Sequence, residues 1–244
     1  MSRTRADTLL VSRGVFESRA KAQAAIAAGL VVADGATVRK ASEAIPETAA
    51  IEARAPHPWV SRGGLKLEAG LDAFGIDPSG LSCLDVGAST GGFTDVLLAR
   101  GAARVAAIDV GRDQLHPRLR ADPRVLSREG CDARALDLAA LPFPVDLIVS
   151  DVSFVSLTIA LAPVLDQARA GTRLVALIKP QFEAGRAALD RHGVVRDAAV
   201  RERVGADIAA WVAARGWRVL GRAPSPITGG DGNHEELIGA VRER

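Results

Sequence analysis

The sequence predicts a doubly wound α/β domain behind a small α+β module, and three observations carry that prediction. Apolar segments of strand length alternate with helix-periodic segments from about residue 62 onward, the pattern of βαβ units around a mostly parallel sheet. Gly87, Gly91 and Gly92 interrupt one strand-to-helix passage, where bare backbone can approach a ligand closely. A basic front segment is set off by Pro56 and Pro58, which favour extended chain. The expected division is a module over 1–55, a linker over 56–61 and the main domain over 62–244.

In the front module, helical periodicity runs from Asp7 to Val15 and again from Ser18 to Ala28, with Ser18 as the N-cap and Gly29 as the stop. Leu30 to Val32 and Thr37 to Arg39 read as a hairpin closed by Asp34-Gly35. Past the linker, Leu65, Leu67, Leu71 and Phe74 fit a helix that carries Lys66 in its first turn. Ser82 to Val86 is the first buried strand, and helical spacing resumes at Phe93, Val96, Leu97 and Leu98. Ala106 to Asp109 and Arg124 to Ser127 follow as strands. Two more, ending near Asp151 and Ile178, deliver Asp151 and Lys179 to one edge. Asp197 caps a helix through Val200, Val204, Ile208 and Val212, which Gly216 stops. Trp217 to Leu220 and Glu236 to Val241 form a terminal antiparallel pair, and the glycine-rich loop between them presents Glu235.

Composition narrows the function classes. The net charge is +2, yet residues 3–40 hold seven basic and three acidic residues, so positive charge is concentrated at the front. A basic module on a near-neutral body suits a reader of phosphate backbone. Two cysteines and four scattered histidines offer no metal-ligand spacing, so no metal is expected, and both thiols are expected to be reduced. Met1 to Asp7 lack the apolar core of a signal peptide. The most apolar stretch, 152–165, is short and broken by Ser153, Ser156, Thr158 and Pro163, so no membrane span and a cytoplasmic location are expected. No oligomer signal is legible.

The glycine turn departs from the dinucleotide pattern, because Ala88, Ser89 and Thr90 separate Gly87 from the next glycine pair. Asp85 at the strand end repels phosphate and suits a cation, such as the ammonium and sulfonium of S-adenosylmethionine. Asp109 stands where a carboxylate accepts both ribose hydroxyls, and Asp132 where one reaches an adenine amino group. Asp85, Gly87 to Phe93, Asp109 and Asp132 are therefore the expected cofactor residues. Lys66, Asp151, Lys179 and Glu235 are expected to converge at the same edge. Two lysines facing two acids suit proton removal from a weakly acidic sugar hydroxyl, with Lys179 as base, Asp151 positioning it, and Lys66 and Glu235 as an outer pair. The base and orienting roles are exchangeable at this stage.

These residues carry two resemblances. Arg5-Ala6-Asp7, Leu10, Gly14, Ser18-Arg19, Ala22, Ile26, Gly29, Val31, Asp34-Gly35 and Val38 resemble the S4 RNA-binding fold, with Ala6 where a larger aliphatic residue is usual. In that resemblance Arg5, Arg13, Arg19 and Lys21 are the phosphate contacts, and Arg62 is a further RNA candidate. The four site residues resemble the Lys-Asp-Lys-Glu tetrad of Rossmann-like, FtsJ-type ribose 2′-O-methyltransferases of class I. With Trp59 to Lys66, Leu84 to Thr94, Asp151 to Leu157, Lys179 to Glu183 and Gly232 to Glu235, the chain resembles the TlyA family of ribosomal RNA cytidine 2′-O-methyltransferases, also labelled hemolysin A. The resemblance implies S-adenosylmethionine as cofactor and ribosomal RNA, within ribosomal subunits, as partner. The short C-terminal end resembles the form that modifies only the large subunit.

Competing chemistries lack their residues. Asp151-Val152-Ser153-Phe154 has no proline pair of the amino-directed methyltransferases, and neither Cys83 nor Cys131 sits where a nucleophile for carbon-5 methylation would. Two alternatives stand beside the enzyme: an RNA-binding assembly factor without turnover, and a membrane-active hemolysin, for which no apolar segment is present.

Overall fold

The computed structural model describes residues 2–243, and the chain divides into two compact units, Met1–Pro58 and Trp59–Arg244. Trp59 to Ser61, expected in a linker, thus belong to the second unit. Val60 is buried there, and its N–H donates to Asp95 Oδ2 at 2.8 Å.

The first unit runs β1 (Arg3–Arg5), α1 (Ala6–Ser12), α2 (Arg19–Ala27), β2 (Val31–Ala33), β3 (Ala36–Thr37), β4 (Ala44–Pro46) and β5 (Ile51–Ala53). The first helix ends at Ser12 rather than reaching Val15, and Gly14 follows it in the left-handed region. The second begins where expected, because the Ser18 hydroxyl accepts the Lys21 N–H at 3.3 Å. Asp34 and Gly35 both have positive φ, the twist that joins strands in a two-residue hairpin, and they close β2 onto β3. Strands β1 and β4 pair with each other, and β5 joins β2. Leu9, Leu10, Phe16, Ile26, Val31 and Ile45 fill the core between helices and strands.

The second unit is wound on a seven-stranded sheet. Its elements are α3 (Gly63–Phe74), β6 (Ser82–Val86), α4 (Gly92–Ala99), β7 (Arg104–Asp109), α5 (Pro117–Arg120), β8 (Val125–Glu129), β9 (Leu147–Ser150), α6 (Leu157–Gln167), β10 (Arg173–Ile178), α7 (Pro180–Glu183), α8 (Ala198–Ala213), β11 (Trp217–Pro224) and β12 (Glu236–Arg242). The strand order is β11-β12-β10-β9-β6-β7-β8, parallel except that β12 runs against both of its neighbours. This is the doubly wound sheet with a terminal antiparallel pair that the sequence predicts.

Burial on both faces explains the continuous apolar strands. Leu84, Val86, Ile108 and Ile148 pack toward α6 and α8, while Cys83, Val105, Leu147 and Val149 pack toward α3 and α4. The winding reverses between β6 and β9, because the chain runs outward through β7 and β8 and then returns to the other side of β6. Ligands of open α/β sheets settle at the carboxyl ends of strands at such a reversal.

Candidate active site

Strand β6 ends in a tight loop at that reversal. Gly87 has φ +83°, and a Cβ placed there would stand 3.1 Å from the Asp151 carbonyl oxygen. Only glycine both adopts that backbone freely and lets the loop touch the end of β9. Asp109, at the end of β7, binds the loop from the other side. Its Oδ2 accepts the Ser89 N–H and its Oδ1 the Gly111 N–H, each at 2.7 Å. Gly87, Ala88, Ser89, Thr90, Gly92 and Phe93 all line one cleft of about 220 Å3, which Arg62, Lys66, Asp151 and Ser153 also reach.

Asp85 lies inside β6 with no exposure. Its Oδ2 accepts the Thr94 hydroxyl at 2.7 Å, and its Oδ1 finds no hydrogen-bond donor among the described residues. Burial pushes its carboxyl up to about 7, against the Thr94 hydrogen bond, and the nearby charges of Asp151 and Asp109 push in the same direction as burial.

Two ion pairs complete the cleft. Lys66 rises from the first turn of α3 and pairs with Glu235 at 2.5 Å, both side chains being nearly inaccessible. Gly70 lets α3 lie close enough to the sheet for this contact, since a Cβ there would meet Val175 at 2.8 Å. Lys179, delivered by the end of β10, stands 2.6 Å from Asp151 Oδ1 and donates to Ser153 Oγ at 2.6 Å. All four predicted residues are thus joined in two pairs, and Lys66 and Asp151 face the same cleft. Buried opposite charges persist only when so paired.

Other predicted residues are engaged elsewhere. Asp132 caps a short turn through the Arg134 N–H and pairs with the Arg134 guanidinium at 2.6 Å, a partner only two residues away. In the first unit, Arg5 and Arg19 clasp the wholly buried Asp7, whose carboxyl they hold well below the ordinary range, while keeping about half of their own side chains exposed. Arg13 donates to the Ala49 and Glu47 carbonyl oxygens, and Lys21 pairs with Glu17 at 2.5 Å. Arg62 N-caps α3 without a side-chain hydrogen bond to that cap.

Sequence reasoning missed Ser153 and Phe154. Phe154 is 92% exposed, has φ +64°, and sits 5.4 Å from the Phe182 ring. A bulky residue in the left-handed region is uncommon and costly. Phe154 lies in the apolar stretch 152–165, between Ser153 and Ser156, where nothing in the residue types sets it apart. Both cysteines are free, and burial raises the Cys83 thiol to about 12, which leaves it inert. Among the described residues no group could hold a metal ion, and no helix is long and apolar enough to cross a membrane.

The profile of the FtsJ-like methyltransferases matches residues 59–242. Over 97% of its length the chain is 44% identical to the "16S/23S rRNA (cytidine-2'-O)-methyltransferase TlyA" of Mycobacterium tuberculosis, 89% of which is covered. It is 41% identical over 96% of its length to "Hemolysin A" of Brachyspira hyodysenteriae, 98% of which is covered. Among solved structures, the "Putative hemolysin" of Streptococcus thermophilus superposes with a TM-score of 0.78 at 38% identity, covering 100% of this chain and 90% of that one. The fold alone extends to a "putative S-adenosylmethionine dependent methyltransferase" of Listeria monocytogenes, with a TM-score of 0.56 at 15% identity over 75% of this chain and 100% of that one. With a profile match across residues 59–242 and relatives aligned along nearly its full length, the chain belongs to the FtsJ-like methyltransferases, in the branch of the TlyA proteins.

Proposed function

We propose that the chain methylates the ribose 2′-hydroxyl of cytidine in ribosomal RNA, with S-adenosylmethionine as donor. The observation that carries this reading is the pair of buried lysine–carboxylate contacts, Lys66 with Glu235 and Lys179 with Asp151, meeting at one cleft beside the glycine loop. The names of the relatives supply the cytidine and the ribosomal RNA; one covers 16S and 23S RNA, and another, from Campylobacter jejuni, 23S RNA alone.

The cofactor assignment rests on charge. Asp109 and Asp151 stand within electrostatic reach of Asp85, and the wholly buried Asp85 Oδ1 forms no hydrogen bond among the described residues. Such a cluster is strained by its own repulsion and favours a cationic ligand. When bound, S-adenosylmethionine supplies a methyl group activated by its sulfonium. The Gly87 to Phe93 loop gives the donor bare backbone to lie against, and Asp109 is the candidate for its ribose.

The chain's own residues then handle the sugar hydroxyl. Lys179 takes the hydroxyl proton, and Asp151 holds the resulting ammonium in place. Lys66, fixed by Glu235, presents a positive charge to the oxygen that becomes negative as the proton leaves. Phe154 offers an exposed ring on which an unstacked base can lie. Methylation at oxygen needs no cysteine, in keeping with the inert Cys83 thiol.

The first unit we read as an S4-like RNA-binding module. Two helices pack on small sheets, and the exposed parts of Arg5 and Arg19 are available to phosphates while Asp7 fixes their direction. Work on ribosomal subunits implies a cytoplasmic location.

Transfer of radiolabelled methyl from S-adenosylmethionine to purified 30S and 50S subunits tests the proposal. Wild-type protein is expected to label at least one subunit, and Lys179→Ala to lower the rate by about 100-fold to 10,000-fold, the range of general base catalysis. Full activity in Lys179→Ala would remove that lysine as the base. Labelling of neither subunit by the wild type would remove the substrate.

A further inference from the structure

We infer that Ser153 is a positioning residue for the methyl transfer, acting through Lys179; the inference rests on the function proposed above. The Lys179 side chain donates to Ser153 Oγ at 2.6 Å, and its Nζ stands at the same distance from Asp151 Oδ1. Asp151 supplies the opposite charge, and Ser153 supplies a second contact, from a neutral hydroxyl, that narrows the direction of the side chain.

A lysine side chain turns freely about its last bonds, and an isolated ion pair leaves the ammonium several orientations. Two neighbours in contact with Nζ restrict it. A base meets its substrate through its lone pair, and with Asp151 and Ser153 both against Nζ fewer orientations of that lone pair remain, so the base can meet its substrate reproducibly.

Placement supports this role. Lys179 is 7% exposed and comes from β10, whereas Ser153 lies in irregular backbone three residues past the end of β9. That backbone is held in an unfavourable conformation at the next residue, Phe154, with φ +64°. Ser153 also lines the cleft with Lys66 and Asp151. A serine that served only to satisfy the lysine would need neither cleft position nor strained neighbour.

The test compares Ser153→Ala and Ser153→Thr with wild type in steady-state methylation of ribosomal subunits. Ser153→Ala should lower kcat by about 10-fold to 100-fold, the value of a hydrogen bond to a charged group, and leave both KM values and the melting temperature unchanged. Ser153→Thr, which keeps the hydroxyl, should recover most of kcat. Unchanged kcat in Ser153→Ala, or equal loss in both variants, would overturn the inference.

A second readout separates it from the parent proposal. Acylation of Lys179 by an amine-reactive ester, followed by peptide mass mapping without RNA, should be faster in Ser153→Ala than in wild type and Ser153→Thr. If wild type methylates neither subunit but this difference persists, the substrate assignment falls and the Ser153–Lys179 tie stands. Equal acylation rates in all three proteins would overturn the tie.

Discussion

At Asp85, burial and function pull in opposite directions. A wholly buried carboxyl with one unbonded oxygen costs stability when ionised, and its value is raised to about 7 from an ordinary 3.8. Because the folded value lies above the unfolded one, the protonated native form is favoured at acid pH. The contribution is fully present below about pH 4 and is lost as pH rises through 7. The ligand-free protein is therefore expected to lose up to about 4 kcal/mol from this group between those limits. Melting temperature against pH checks this: Asp85→Asn should flatten that slope and weaken cofactor binding. A slope identical in Asp85→Asn and wild type would show that Asp85 is not the group responsible. The glycine loop and the ends of β7, β9 and β10 were legible because strand ends and glycines mark the sequence, whereas the pairing of Asp132 with Arg134, two residues on, was not.

At the scale of elements, the passage from β6 to α4 is where backbone geometry decides the outcome. Gly87→Ala puts a methyl 3.1 Å from the Asp151 carbonyl oxygen at a positive φ, a strain of about 1 to 3 kcal/mol. For a unit of this size that lowers the melting temperature by about 2 to 10 °C, and the same displacement should weaken cofactor binding measured by calorimetry. An unchanged melting temperature and an unchanged affinity would show that the loop accommodates a side chain. The long parallel strands were legible because both faces are buried and their apolar runs are continuous, and helices α3, α4 and α8 by their periodicity; α6 (Leu157–Gln167) was not, because its apolar residues merge with the stretch before it. Strands β1, β4 and β5 were not, since three residues hold less than two periods of alternation and Pro46 argues against a strand. Phe154 was hidden for a related reason, because composition gives no sign of a left-handed φ.

Across the molecule, a unit with clustered basic residues and a unit with a reversed α/β winding are encoded in one chain, and the sequence separates them by prolines at 56 and 58. What composition could not show is how charge is spent. In the front unit Arg5 and Arg19 are tied to Asp7, and in the second Lys66 and Lys179 are tied to Glu235 and Asp151. The formal charge of +2 therefore says less than the places where cations remain exposed. The central claim is that the second unit directs methyl to a sugar oxygen. Ribosomal subunits incubated with the protein and S-adenosylmethionine, digested to nucleosides and analysed by mass spectrometry, test it most directly. The account predicts new 2′-O-methylcytidine that disappears with Lys179→Ala; methyl found on a base, or no new methylated nucleoside at all, would contradict it.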